Sequence, residues 1–225
     1  MNSNSSLPAA AIFDMDGVLT DSNPFHLAKW SELLGAHGIP YNAEDLPKQI
    51  LGYRNDTALR LFFGPQLGEE EMEQLSEELE ARFRSAFREH ARPLPGLKAL
   101  MDECRAAAIP MALASSALTK NIDFVVDALE LRPYFTTIIS GDEVSHAKPD
   151  PEIYLKTAER LELAPAKCVA FEDSFVGIES AKRANMKCVG VASTFPAEEL
   201  RSQTQADLVV NGFDELYLPR LRALF

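Results

Sequence analysis

Two aspartates one residue apart, Asp14 and Asp16 in AIFDMDGVLTDS (11–22), stand where an apolar run stops. Alternate side chains of an extended chain share a face, so both carboxylates point the same way. At about 4 Å and an effective dielectric of about 20, their repulsion is on the order of 4 kcal/mol. A turn or cap helped by Gly17 is the purely structural alternative. A calcium loop is excluded, because Val18, Leu19 and Phe25 stand where that loop needs an oxygen ligand, a glycine and a glutamate. A second acidic pair, Glu172 and Asp173 in KCVAFEDS (167–174), ends another apolar run, although Asp-Ser before a helix also suits an N-cap. If the two runs are neighbouring strands, the carboxylates meet at one sheet edge and need a cation among them. Oxygen ligands without His or Cys favour a hard ion, Mg²⁺ above all if the substrate is a phosphate.

Two further segments carry groups for an anion. Ser115 and Ser116 in ALASSA (112–117) combine hydroxyls with the free backbone N–H groups of a following helix start. Ordinary serine capping is the alternative. Lys148 in HAKPDPEIY (146–154) is held in a proline-stiffened loop after a further strand, near the same edge, where the alternative is a solvated surface charge.

The elements that must position these groups alternate. Apolar runs at 9–13, 110–114, 136–140, 167–171, 187–192 and 207–210 predict strands, and helix-period segments at 96–108, 119–131, 151–163 and 175–185 separate most of them. Near-continuous apolar strands alternating with helices predict an α/β fold, a Rossmann-like parallel sheet covered by helices, with ligands beyond the carboxyl ends of the strands. From 23 to 92 the pattern is helical with no convincing strand, which predicts an inserted all-helical cap (23–92) on a core formed by 1–22 and 93–225. The charge run of the acidic stretch EEEMEQLSEELEARFRSAFREHA (69–91) within it reads as a solvated helix face.

The chain has 225 residues, 46% of them apolar, which is enough for a substantial core. A net charge of −12 argues against nucleic acid or an anionic membrane as partner and requires a cation between the protein and any anionic substrate. No stretch approaches the roughly 20 apolar residues of a membrane span, and no secretory signal is visible, so a cytoplasmic location is expected. The N-x-S/T triplets at Asn4 and Asn55 are then chance matches, and Cys104, Cys168 and Cys188 read as reduced packing thiols. No obligatory protein partner is evident.

The order strand-DxD, strand-Ser, Lys-loop, strand-ED, from residue 9 to about 216, resembles the haloacid dehalogenase superfamily with a small helical cap. The resemblance implies Mg²⁺-dependent phosphoryl transfer on a small phosphorylated metabolite, with Asp14 as nucleophile and Asp16 as general acid and base. It implies Ser115, Ser116 and Lys148 as phosphate-binding groups, Asp14, Asp16 (through its backbone carbonyl) and Asp173 as metal ligands, and Glu172 as a further ligand or a group behind them. True dehalogenases of the superfamily lack the second aspartate, so Asp16 points to a phosphatase. The stretch DSNPFHLAKW (21–30) is similar to the β-phosphoglucomutase branch, which makes His26 and Arg54 the candidate cap residues. That branch grips a distal phosphate with a cap lysine, yet no lysine lies between Lys48 and Lys98, with Arg82 the only suggested replacement. Hydrolysis of a sugar phosphate is therefore the first expectation, a phosphosugar mutase the second, and a non-catalytic phosphate-binding regulator the third.

Overall fold

The computed structural model describes residues 7–225; the Asn4 triplet lies outside the described residues. Short runs of Ala, Val, Ile and Phe form six strands: β1 (Ala10–Phe13), β2 (Met111–Ala114), β3 (Phe135–Ile139), β4 (Cys168–Glu172), β5 (Lys187–Val191) and β6 (Leu208–Val210). All pair in parallel, in the order β3-β2-β1-β4-β5-β6. Alternation along each strand supplies two cores. Ala11, Phe13, Leu113 and Phe171 face one side, with the Phe13 and Phe171 rings stacked 4.7 Å apart, and Ala10, Ile12, Ala114 and Ala170 face the other. Because strand order reverses between β1 and β4, their carboxyl ends open a crevice, the usual ligand position in such sheets.

After β1 the chain leaves the sheet through α1 (Asn23–Ala36), α2 (Leu46–Ile50), α3 (Asn55–Phe63) and α4 (Glu69–Phe87). It rejoins where the Thr20 hydroxyl donates to the Arg92 carbonyl (2.7 Å) and the Leu94 amide to that of Leu19 (2.9 Å). Trp30, Leu34, Leu59 and Leu79 build a separate cluster inside the insertion, whereas Phe83 and Phe87, at the end of α4, pack into the core of the sheet. The core helices α5 (Leu97–Ala106), α6 (Thr119–Ala128), α7 (Glu152–Arg160), α8 (Phe175–Arg183), α9 (Ala197–Gln203) and α10 (Leu218–Arg222) cover both faces.

The α/β architecture is the expected one, with local corrections. Periodicity did not reveal α2, α9 or α10, each seven residues or shorter. Ser140 is outside β3, because its side chain caps the tight turn Gly141–Glu143. The acidic run is not wholly solvated: Glu80 is 5% exposed and sits on the buried stripe of α4 with Phe83 and Phe87. All three cysteines are buried free thiols, and burial pushes Cys104 up to about 12 and Cys168 up to about 11.

Candidate active site

Asp14 follows β1 directly, its amide donating to the Phe171 carbonyl (3.0 Å), so the ends of β1 and β4 are tied together. The turn that follows closes through Gly17, whose φ of +71° suits glycine. A Cβ there would also run into the Asp173 carboxylate, so the missing side chain makes room for the second acidic strand end.

Lys148 is the hub. Its ammonium donates to Asp14 Oδ1 (2.7 Å), Glu172 Oε1 (2.6 Å) and the Ala114 carbonyl (3.3 Å), with 2% of the residue exposed. Tyr154 of α7 donates its hydroxyl to the same Glu172 oxygen (2.7 Å). The other Glu172 oxygen accepts from the Asp173 amide (3.2 Å) and from Ser174 (3.3 Å), the residue that caps α8. Asp173 Oδ2 accepts from Asn23 (2.8 Å) and from Thr194. Burial, joined by repulsion from Glu172 and Asp16 and opposed by Lys148, pushes Asp14 up to about 8. Burial and the neighbouring Glu172 and Asp14 charges raise Asp173 well above the carboxylate range. Lys148 is held protonated above its ordinary value by its two carboxylates, against the cost of its own burial.

The Asp14, Glu172 and Asp173 carboxylates bring an oxygen each within 4.8 Å of one another. Burial first, and neighbouring carboxylate charge second, drives Asp14 and Asp173 toward protonation, and the donors are all oxygen, so the cluster fits a hard divalent cation. Asp14 and Asp173 keep oxygens free for it, whereas Glu172 is engaged by Lys148, Tyr154 and Ser174.

Asp16 belongs to a second arrangement on the same crevice. Its Oδ1 accepts from the Ser22 hydroxyl (2.5 Å) and lies 3.2 Å from His26 Nε2, while the imidazole stacks on Phe83 with centroids 3.9 Å apart. Against the penalty of burial, His26 and Ser22 hold Asp16 below the usual range; against its own burial, Asp16 raises His26.

A cavity of about 500 Å³ lies between the sheet edge and the insertion, lined by Asp14, Asp16, His26, Arg54, Ser115 and Ser116 among others. Ser115 accepts from the Ala117 amide (3.1 Å) in the turn leading to α6. The Ser116 hydroxyl donates across the cavity rim to the Gly52 carbonyl (2.9 Å). Arg54 binds Asp56 bidentately and reaches the Val144 carbonyl (3.0 Å). Arg82 is a correction: it pairs with Glu78 on the outside of α4 and does not line the cavity. Sequence reading missed Asn23, Tyr154, Thr194 and Glu80. Of these, only Glu80 left a signal, as an acid at the i, i+3, i+7 spacing of Glu80, Phe83 and Phe87.

A doubly wound parallel sheet with a helical insertion after its first strand, and acidic, hydroxyl and ammonium groups gathered at the switch point, defines a haloacid dehalogenase-type hydrolase. Residues 8–185 match the family model for haloacid dehalogenase-like hydrolase, and the chain belongs to that family. It is 34% identical over 178 residues to the phosphorylated carbohydrates phosphatase of Thermotoga maritima, covering 79% of this chain and 82% of that one. It is 30% identical to the β-phosphoglucomutase of Bacillus subtilis, over 94% of this chain and 93% of the relative. The crystal structure of β-phosphoglucomutase from Clostridium difficile superposes with a TM-score of 0.86 at 27% identity, covering 97% of both chains.

Proposed function

We propose that the chain is a phosphatase that transfers the phosphoryl group of a small sugar-type phosphomonoester to Asp14 and then to water. The observation that carries this reading is the buried Asp14 carboxylate, held by Lys148 at the crevice, with a second carboxylate, Asp16, two residues on and paired with His26. Asp14 attacks phosphorus and the bond to the leaving oxygen breaks. The proton that oxygen needs is held by the Asp16–His26 pair, on the imidazole whose pKa Asp16 raises, and Asp16 relays it. Water then attacks the aspartyl-phosphate, Asp16 takes its proton, and Asp14 and inorganic phosphate are freed. Lys148 and the N–H groups after Ser115 offset charge on the transferring oxygens, the dominant need of a loose phosphoryl-transfer transition state. Mg²⁺, with Asp14, Asp173 and the Asp16 carbonyl as its ligands, supplies further positive charge when bound. Glu172 orients Lys148.

The test is phosphate release from a panel of sugar monophosphates with Mg²⁺. Asp14→Asn removes the nucleophile and is expected to lower kcat by at least about 10⁴ with an unchanged circular dichroism spectrum, since loss of a nucleophile leaves only residual binding catalysis. Wild-type turnover in that variant rules out Asp14 as nucleophile. The similarity to β-phosphoglucomutases keeps a mutase as the second reading, recognised by isomer formation that a sugar bisphosphate stimulates.

A further inference from the structure

One wall of the cavity is built by α4, where Glu73, Ser76, Glu77 and Glu80 recur at three- and four-residue spacing and so share one face. Asp56 and Asp142 add carboxylates at the rim. Among the lining residues only His26 and Arg54 are basic, and both are spent: His26 on Asp16, and the Arg54 fork on Asp56. Glu77 is matched by Lys120 (2.5 Å) and Arg84 (2.9 Å) from outside the cavity. Glu80 has no cation in contact; its oxygens accept from the amides of Asn55 (2.6 Å) and Asn121. Neither charge state of Glu80 offers a cation to an anion. Glu73 forms no ion pair, and its side chain is exposed at the wall.

We propose that the substrate's leaving group is a hydroxyl-rich moiety without a second anionic group, and that the Glu73–Glu80 face of α4 excludes a distal phosphate or carboxylate. The proposal rests on the phosphatase reading and deepens it. One phosphoryl group is accommodated by Lys148, the N–H groups after Ser115 and a cation on the acidic cluster. Beyond it the wall presents acceptor oxygens, which pair with hydroxyl donors. A second phosphate there faces carboxylates in a partly closed space, and like-charge juxtaposition of that kind costs several kcal/mol. A cavity of about 500 Å³ is in the range of small-ligand sites.

The experiment compares kcat/KM for phosphate release, with Mg²⁺ fixed, on matched pairs: fructose 1-phosphate with fructose 1,6-bisphosphate, and glucose 6-phosphate with glucose 1,6-bisphosphate. Phosphoglycolate serves as the carboxylate probe. Each doubly anionic ester is expected to be at least roughly 100-fold poorer than the sugar monophosphate. Glu73→Lys, which places a cation on the exposed part of the wall, is expected to narrow the ratio about tenfold, as is Glu80→Gln. If Glu80→Gln fails to fold, Glu73→Lys decides. Bisphosphates used as well as monophosphates, or a ratio indifferent to Glu73→Lys, overturn this inference while phosphate release that depends on Asp14 leaves the phosphatase reading standing. No phosphate release from either class overturns both.

Discussion

Lys148 is surrounded by carboxylates and almost without water, so its charge is both required and hard to replace. Removing one partner of a buried ion pair leaves an uncompensated charge, at a cost of about 3–5 kcal/mol. Lys148→Met is therefore expected to lower stability by that amount in denaturant titration, and to abolish turnover even where the variant stays folded. Glu80 yields a different prediction. Burial raises its pKa above the ordinary carboxylate value of 4.5, with His26 and Arg84 opposing and Asp16 reinforcing the shift. Between the unfolded and the folded value, the folded protein therefore holds a proton that the unfolded chain releases. Stability attached to Glu80 is complete below the unfolded value and declines as pH rises through the folded one. Glu80→Gln removes this dependence. Its stability relative to the unmutated protein is expected to improve as pH is raised above about 4.5, checked by melting temperatures across pH.

At the scale of elements, the ends of strands were legible and the faces of helices were not. Asp14, Ser115, Lys148 and Asp173 each follow an apolar run, and a parallel sheet brings such ends to one edge whatever else the chain does. Which side of α4 meets the cavity depends on packing against α1 and α6; inside one charged run only the spacing of Glu80 with Phe83 and Phe87 hinted at a buried acid, and nothing marked Arg82 as exposed. Asn23 and Thr194 escaped because their partner, Asp173, is distant in sequence and their residue types are common at turns. Glu172 was visible as an acid, but its attachment to Tyr154 depends on how α7 lies on the sheet. The same packing gives α4 a measurable anchor: Phe83 is fully buried, stacks on His26 and Phe87, and truncation to Ala is expected to destabilise by about 3–5 kcal/mol in thermal or denaturant unfolding. Activity is expected to fall further than that loss explains, because the His26 ring loses its support.

Across the whole molecule the net charge is −12, and at the strand ends three carboxylates converge around one ammonium, that of Lys148. A divalent ion that binds there only in the folded state stabilises by RT ln(1 + [L]/Kd), about 2.7 kcal/mol at a hundredfold excess over Kd. Mg²⁺ is expected to raise the melting temperature, EDTA to reverse the gain, and Asp173→Asn to remove most of the response; a shift of equal size in that variant excludes Asp173 as a ligand. Among the described residues, no helix is long and apolar enough to cross a membrane.

Phe83 and Phe87 belong to the inserted segment by sequence but to the sheet's hydrophobic interior by contact. Excising residues 23–92 to obtain a stripped-down, permissive catalyst would therefore pull two aromatic plugs from the core on one side of the sheet as well as removing the roof. The remnant would be a hollowed scaffold rather than a simpler enzyme, and the insertion is in this sense a keystone of the domain it covers.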